Sequence, residues 1–297
     1  MRIVLSGASG FLGTALRHHL TTNGHELVQL VRGTPSGPGE VRWDPYRGEL
    51  DPAVLAAADA VVNLSGAPIA HWPRTSSYKR TLLDSRLAPT RTLADSIAQL
   101  DVDDKPALVN ASGVNYYGGD RGDEPLDETS TTGGGFLCEM AQRWESATGS
   151  ASTAGARVVI VRTAPVLAGD GGVLRAMALP FKLGVGGKLG SGRQWFPSVS
   201  LADYCSAVER LATDSSMVGP YNVGAPTPAT NAELTAAIGA QLHRPTRLTV
   251  PAWAIKLALG EMATELLGSL KVRPTRLLEA GFTFAHPDVD SQLAAAL

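Results

Sequence analysis

The amino-acid sequence predicts an α/β fold, in which a doubly wound parallel sheet is followed by a smaller, mostly helical C-terminal lobe. Three observations lead to this prediction. The chain of 297 residues is long enough for a large domain with a smaller partner. Strand-like and helix-like segments alternate through its first half, and a glycine-rich loop joins the first strand to the first helix.

The first half alternates between the two kinds of segment. Strands are predicted at Ile3–Leu5, Glu26–Val31, Val41–Trp43, Ala60–Leu64, Ala107–Ala111 and Arg157–Val161. Helices are predicted at Phe11–Leu20, Pro52–Ala58, Ser85–Leu100 and Phe136–Ser150. Because parallel neighbours need crossover connections, this alternation favours a parallel sheet.

The second half is less regular and is broken by glycine and proline. Helices are predicted at Leu201–Thr213, Asn231–Leu242, Ala252–Leu267 and Pro274–Ala280. We therefore assign residues 1–165 to a nucleotide-binding domain that also takes part of 190–224. Residues 166–189 and 225–297 are assigned to the smaller, substrate-side lobe.

Composition argues against several classes of function. A formal net charge of -2 favours neither nucleic acid nor a membrane as partner. The segment Thr249–Gly268 carries Lys256, Glu261 and Glu265, which is typical of an amphipathic helix. We expect no signal peptide and a cytoplasmic location. We also expect no metal, because the six histidines lack metal-ligand spacing, and reduced thiols at Cys138 and Cys205.

The glycine loop is the segment Gly7-Ala8-Ser9-Gly10-Phe11-Leu12-Gly13. It lies between a strand pattern and a helix pattern, which is the context of a dinucleotide-binding loop. Gly7 permits a tight turn, Gly10 lets the backbone approach a pyrophosphate, and Gly13 lets the helix pack close to the strand. The start of the helix then offers free N–H groups to phosphate. The loop predicts a Rossmann-type fold.

The end of the second predicted strand indicates which dinucleotide is bound. NAD-binding folds of this type place an acid there, whereas this chain has Arg32 with no acid beside it in sequence. A guanidinium can pair with the 2′-phosphate of NADP. Arg32 therefore predicts NADP(H), with a solvated surface arginine as the alternative.

Further motifs span almost the whole chain. They are Asn63-Leu64-Ser65-Gly66-Ala67-Pro68-Ile69, Ser85-Arg86, Ser112-Gly113-Val114-Asn115-Tyr116-Tyr117-Gly118, Arg143-Trp144-Glu145, Arg162-Thr163-Ala164-Pro165-Val166-Leu167, Gly190-Ser191-Gly192-Arg193-Gln194 and Arg276-Leu277-Leu278-Glu279-Ala280-Gly281-Phe282. With the glycine loop they make the chain resemble the atypical "epimerase family protein" branch of the extended short-chain dehydrogenase/reductases. That branch is epimerase/dehydratase-like and has a C-terminal domain of unknown function.

The resemblance implies contacts with NADP(H) at matching positions. The loop glycines would hold the pyrophosphate together with Ser9, Phe11 and Leu12. Arg32 would hold the 2′-phosphate. The remaining implied contacts are Leu64, Ser65 and Gly66 at the adenosine and ribose, Arg86 on the following helix, and Val166 by the nicotinamide. A helix-surface charge remains the alternative for Arg86, and an ordinary loop the alternative for 63–69.

The wider superfamily uses a Tyr with a Lys four residues later for proton transfer. Here the matching positions are Phe136 and Met140, which transfer no proton. The candidates for catalysis are Ser112, which matches the superfamily's active-site serine, and Tyr116 and Tyr117, which could also be packing aromatics.

Two acidic residues, Asp203 and Asp44, have structural interpretations. We expect Asp203 to be a helix N-cap. Asp44 lies either near an adenine or at the start of a turn with Pro45.

Two functions remain open. One is an NADP(H)-dependent oxidoreductase or epimerase-like isomerase, which binds a small polar substrate between the cofactor crevice and the C-terminal lobe. The other is a non-catalytic NADP(H)-binding sensor or regulator, which the absent Tyr and Lys favour. A homodimer is a possible assembly, because helices of such cores often pair.

Overall fold

The structure is a computed structural model of the chain that describes residues 1–71, 73–103, 105–169 and 171–297, without the side chain of Glu261. The strands are β1 Arg2–Ser6, β2 Glu26–Val31, β3 Glu40–Arg42, β4 Ala60–Asn63, β5 Ala107–Gly113, β6 Pro125–Leu126, β7 Val158–Thr163, β8 Val166–Ala168, β9 Gly187–Leu189, β10 Trp195–Phe196, β11 Val199–Ser200, β12 Gly219–Val223, β13 Ala229–Thr230, β14 Leu248–Val250 and β15 Lys271–Val272. The helices are α1 Phe11–Thr22, α2 Pro52–Ala56, α3 Ser76–Ala98, α4 Phe136–Ser146, α5 Gly149–Thr153, α6 Gly172–Lys182, α7 Leu201–Thr213, α8 Asn231–Gln241, α9 Ala252–Leu259, α10 Ala263–Leu267, α11 Thr275–Glu279 and α12 Val289–Ala296. Short 3-10 helices cover Val114–Tyr117 and Gly260–Met262.

The main sheet has seven strands in the order β12-β7-β5-β4-β1-β2-β3. Strand β1 pairs in parallel with β2 on one side and with β4 on the other, so the order of the strands reverses at β1. Ligands of open α/β sheets bind at such a reversal, beyond the carboxyl ends of the strands. The predicted Rossmann-type α/β fold is confirmed.

The strands of this sheet are apolar because both of their faces are covered. Val4, Val61 and Leu108 are fully buried in neighbouring strands, in one cluster with Leu93 and Ile97 of α3. This cluster fixes the strand ends that position the site.

The chain divides into two compact units. The first comprises Met1–Ser112, Met140–Val161 and Cys205–Pro220, and the second comprises Gly113–Glu139, Arg162–Tyr204 and Tyr221–Leu297. The second unit has its own core, where α6, α8 and α12 bring Leu174, Ile238 and Leu293 together. The sequence prediction placed all of 1–165 in one domain, whereas this division places 113–139 and 162–165 in the second unit.

Several elements differ from the sequence prediction. Helix α3 begins at Ser76 rather than at the predicted Ser85. The Thr75 side chain caps the helix at Ser76, and the helix contains Pro89. The predicted helix Ala252–Leu267 is interrupted at Gly260, whose φ is 54°. Helices α6 and α12 and strand β12 were not predicted. None of the helices in the described ranges combines the length and the apolar character that crossing a membrane requires.

Asp203 is not the N-cap of α7, contrary to the sequence prediction. It is the third residue of that helix, and its backbone N–H donates to the Ser200 hydroxyl. Its carboxylate accepts hydrogen bonds from the backbone N–H groups of Ala285 and His286, at 2.7 and 2.9 Å. The buried carboxylate therefore anchors the segment before α12.

Candidate functional site

A cavity of about 780 Å³ lies beyond the carboxyl ends of β1, β2 and β4 in the first unit. Its size suits a dinucleotide or a similar ligand. The predicted cofactor residues that line it are Gly7, Ser9, Gly10, Arg32, Leu64, Ser65 and Gly66. Other lining residues include Thr14, Arg17, Glu40, Pro45, Tyr46 and Thr81.

The three loop glycines are required for different reasons. Gly7 has a φ of 77°, and a Cβ there would lie 2.7 Å from the carbonyl carbon of Leu64. A Cβ at Gly13 would overlap the carbonyl oxygen of Gly7. Gly10 has an ordinary φ of -74°, and a Cβ there would meet only that oxygen, at 3.3 Å. Gly7 and Gly13 are therefore needed by the fold, whereas Gly10 leaves space in the cavity.

Helix α1 begins within the glycine loop, and no side chain caps its N-terminus. Gly10 is its N-cap residue and offers no side-chain acceptor, so the first-turn N–H groups of Phe11, Leu12 and Gly13 have no such partner. Free N–H groups and the positive end of the helix dipole favour an anion. Phe11 and Leu12 lie in the first turn of α1 and are not among the residues that line the cavity, and the Phe11 side chain is exposed.

Arg32 follows β2 and is exposed on the cavity wall, where Arg17 of α1 joins it. The structure also places an acid here, because strand pairing sets Glu40 opposite Gln29. The Ser36 backbone N–H and hydroxyl donate to the Glu40 carboxylate at 2.7 and 2.9 Å and lower its pKa. Sequence reasoning missed Glu40 because it lies on another strand.

A buried polar network holds the loop after β4. Strand register aligns Ser6, Asn63 and Asn110 across β1, β4 and β5. The Ser6 hydroxyl donates to Asn63 at 2.6 Å, and the Asn63 amide donates to Asn110 at 2.7 Å. The Ser65 N–H in turn donates to Asn63 Oδ1 at 3.1 Å. Polar residues near the ends of three apolar strands were the sequence signal for this network.

Thr90 of α3 completes the network from the helix side. Its hydroxyl accepts from the Asn63 amide and from the Trp144 indole N–H, both at 2.9 Å. The cavity wall at Leu64, Ser65 and Gly66 is thus fixed by side chains from three strands and two helices.

Arg86 lies in α3 beside that wall and is 5% exposed. Its guanidinium donates to the carbonyls of Leu82 and Ala67 at 3.1 and 3.0 Å and stacks over Trp144 at 5.0 Å. Burial lowers the pKa of Arg86 to about 10. Within the described ranges no carboxylate pairs with it, and its Nε has no hydrogen-bond partner. Arg86 is therefore a buried cation and not a helix-surface charge.

Ser112 lies near the carboxyl end of β5. Its hydroxyl donates to Glu145 Oε1 of α4 at 2.7 Å. Glu145 belongs to a motif that the sequence singled out, but sequence reasoning gave it no role. A serine hydroxyl bonded to a carboxylate can pass on a proton.

Tyr116 and Tyr117 lie in the second unit. Tyr117 is fully buried, its hydroxyl donates to Asn222 Oδ1 at 2.7 Å, and Arg162 donates to it at 3.1 Å. Burial raises the pKa of Tyr117 to about 12, although Arg162 opposes the rise. Tyr116 is half-buried, with the Arg162 guanidinium 3.4 Å from its ring centroid. This geometry suits aromatic packing at Tyr117 and leaves Tyr116 the more accessible phenol.

The remaining candidates are placed as follows. Val166 is buried in β8 of the second unit, where it pairs with Val199. Met140 is buried in α4. Asp44 begins a turn, because its carboxylate accepts from the Tyr46 N–H and its carbonyl from the Arg47 N–H.

Metal and thiol chemistry would depend on groups of metal-ligating side chains and on the state of the two cysteines. No group of three or more His, Cys, Asp or Glu side chains among the described residues could hold a metal ion. Cys138 and Cys205 are both buried and free.

Family models match most of the chain. Residues 3–224 match the NAD dependent epimerase/dehydratase family, and residues 250–296 match a domain of unknown function, DUF1731. The first match covers the cavity and the main sheet.

Several known proteins are similar over almost all of this chain. Epimerase family protein Mb2239 of Mycobacterium bovis is 40% identical over 99% of this chain and 97% of its own. The structure of the human epimerase family protein SDR39U1 with NADPH superposes with a TM-score of 0.86 at 33% identity, over 99% of this chain and 98% of its own. A nucleoside-diphosphate sugar epimerase from Corynebacterium glutamicum gives a TM-score of 0.83 at 34% identity, over 100% of this chain and 58% of its own. The protein is therefore an NAD(P)-binding member of the NAD dependent epimerase/dehydratase family with a C-terminal DUF1731 domain.

Proposed function

We propose that the protein is an NADP(H)-dependent oxidoreductase or epimerase-like isomerase that acts on a small polar substrate. The observation that carries the proposal is one cavity lined by the glycine loop, the uncapped start of α1 and Arg32. The structure of human SDR39U1 with NADPH supports the choice of cofactor.

The residues of the cavity fit this cofactor. Gly10 leaves the space that a pyrophosphate needs, and the first-turn N–H groups of α1 would bind it. Arg32 would bind the 2′-phosphate in a charge-assisted hydrogen bond. Arg86 would add a positive charge behind Gly66, since a Cβ on that glycine would lie 3.1 Å from Arg86 Cζ. A bound nicotinamide would supply or accept a hydride.

The proton needs another route, because Phe136 and Met140 cannot carry it. Hydride transfer to a carbonyl leaves an oxyanion that must be protonated or stabilised. In the direction of alcohol oxidation, the Ser112 hydroxyl would take up the proton of the substrate hydroxyl and pass its own proton to the Glu145 carboxylate, to which it is bonded. Carbonyl reduction would run this relay in reverse, from a Glu145 carboxyl that has taken up a proton from water. The pair would thus take over the role of the absent Tyr and Lys.

A non-catalytic NADP(H)-binding sensor is the second candidate. The replacement of the acid–base pair by Phe136 and Met140 favours it. Such a sensor would bind NADP(H) through the same residues as the enzyme, but it would convert no substrate.

Calorimetric titration with NADP and NAD tests the cofactor. We expect NADP to bind more tightly, and Arg32→Glu to weaken NADP by about 10- to 100-fold while changing NAD far less, because a charge-assisted contact contributes about 1.5–3 kcal/mol. Arg91→Glu, at an exposed position of α3, is the matched control and should change neither affinity. Equal affinities of the unmutated protein for both cofactors would contradict the proposal.

Turnover separates the two candidates. NADPH absorbance is followed with aldehydes and ketones, and epimerisation with nucleoside-diphosphate sugars, the class named for the Corynebacterium glutamicum relative. A protein that binds NADPH tightly but turns over none of these compounds would favour the sensor.

A further inference from the structure

An apolar surface is exposed on α6 and the turn after it, on β14 and on α9 of the second unit. Trp253 and Leu257 of α9 are 70% and 82% exposed, although such side chains are usually covered. We call this surface the α9 face; its large apolar side chains are Leu179, Leu183, Val185, Leu248, Trp253 and Leu257.

The elements of the α9 face are neighbours. Strand β14 pairs in parallel with β9, where Leu248 stands opposite Gly187, two residues after Val185. Helix α9 follows β14 directly, and a Cβ on Gly190 would lie 3.6 Å from Cβ of Ala252. The six side chains therefore lie on adjoining elements.

Helical spacing sets apolar and basic residues side by side. Leu179 and Leu183, like Trp253 and Leu257, are four residues apart and so share one side of their helices. Lys182 lies three residues after Leu179, and Lys256 three residues after Trp253. Each apolar stripe therefore has a cation beside it.

The two segments of sequence that form the α9 face are more basic than the chain as a whole. Residues 172–189 and 241–260 contain six Lys or Arg residues and no Asp or Glu, in a chain of net charge -2. Five of these cations are exposed and form no ion pair within the described ranges: Arg175, Lys182, Arg244, Arg247 and Lys256. The nearest acids in sequence are Asp170 and Glu261, which lie outside both segments.

We propose that the α9 face binds the surface of an anionic lipid bilayer. Tryptophan and leucine side chains insert at the boundary between headgroups and acyl chains, and lysine and arginine contact the lipid phosphates. The near-neutral charge of the whole chain conceals this local surplus of cations. Peripheral binding of this kind needs no membrane-spanning helix.

Co-sedimentation with vesicles tests the proposal on the full chain. We expect binding to vesicles of phosphatidylcholine with phosphatidylglycerol, little binding to phosphatidylcholine alone, and loss of binding at high salt. Trp253 should contribute a blue shift of the tryptophan fluorescence on binding.

Paired variants separate the two contributions. Lys182→Glu with Lys256→Glu should weaken binding at least 25-fold, because each lost cation costs about fivefold. Trp253→Ser with Leu257→Ser should weaken it about tenfold or more. Arg91→Glu and Val218→Ser are the controls, at an exposed cation and a 52% exposed apolar residue of the first unit, and should bind normally.

Calorimetric NADP affinity checks that each variant is folded, since no changed residue lines the cofactor cavity. If NADP binding proves absent in the unmutated protein, the temperature of thermal unfolding serves as this check. Failure to bind anionic vesicles would overturn the proposal. Equal binding by the charge-reversed variant, or a dimer in solution that Leu257→Ser abolishes without any vesicle binding, would overturn it as well.

Discussion

At the scale of single residues, Gly10 shows how space is kept for a ligand. Its φ of -74° is open to every L-residue, and a Cβ there would meet only the Gly7 carbonyl oxygen. At 3.3 Å this contact needs a shift of a few tenths of an ångström, so packing restricts Gly10 less than a position where a Cβ overlaps the backbone. Gly13 differs, since a Cβ there would overlap the Gly7 carbonyl oxygen.

We predict that Gly10→Val abolishes NADP binding while the protein stays folded. The isopropyl group would fill the space beside the first turn of α1 that the pyrophosphate needs. Calorimetry measures the affinity and circular dichroism the fold. Gly37→Val, where a Cβ meets nothing within 4 Å, is the control. Unchanged NADP affinity in Gly10→Val would place the phosphate site elsewhere.

We predict that Ser112→Ala lowers turnover about 100-fold or more and leaves NADP affinity nearly unchanged, because the hydroxyl would serve proton transfer and does not line the cavity. Glu145→Gln should lower turnover too, since the amide cannot return a proton to the Ser112 hydroxyl. Steady-state kinetics on a substrate found by the screen measure both. Full activity in both variants would exclude this proton route.

The two tyrosines should respond differently to loss of the hydroxyl. Tyr117→Phe removes the partner of Asn222 and Arg162, so we predict a loss of about 1–3 kcal/mol in the free energy of unfolding. Tyr116→Phe should change stability little, and its turnover tests whether this phenol takes part in catalysis. Urea denaturation compares the two. A Tyr117→Phe variant as stable as the unmutated protein would contradict the assigned packing role.

At the scale of elements, one carboxylate joins α1 to α7. Glu209 Oε2 lies 2.7 Å from His19 Nε2, and Glu209 Oε1 lies 2.9 Å from His25 Nε2. The Asn23 amide donates to the same carboxylate at 2.8 Å. Burial raises the pKa of Glu209, but these hydrogen bonds outweigh it and the pKa falls below the usual 4.5.

We predict that this carboxylate makes stability depend on pH below 4.5. Because the pKa of Glu209 is lowered in the folded state, its contribution is complete above 4.5 and is lost as the pH falls through the folded pKa. Glu209→Gln should therefore cost about 2 kcal/mol at pH 7 and progressively less below pH 4.5. Urea denaturation across this range measures the difference. A cost that stays constant down to pH 3 would contradict it.

The limits of sequence reasoning are also visible at this scale. Strand β2 and helix α7 have the predicted bounds because local patterns and turn residues set them. The start of α3 was missed because its first turns, residues 76–81, bury no side chain, so no apolar periodicity marks them in the sequence. Helix α6 was missed because glycines precede it, so its pattern was taken for a break.

At the scale of the whole molecule, each unit is assembled from separated segments of chain. The first unit consists of Met1–Ser112, Met140–Val161 and Cys205–Pro220. The second unit consists of Gly113–Glu139, Arg162–Tyr204 and Tyr221–Leu297. The sequence prediction also drew each domain from separate ranges, but it kept 113–139 in the first domain, because long-range packing decides which unit a segment joins.

The sequence by itself determined the fold class and predicted the kind of cofactor site. Alternating segments, a glycine loop between strand and helix, and Arg32 in place of an acid follow rules of local backbone and charge, which need no tertiary information. Only the tertiary structure decided that Arg86 is buried without a carboxylate, that Glu145 meets Ser112, and that Glu40 shares the cavity of Arg32. These contacts arise because strand register and helix packing bring together side chains that the chain keeps apart.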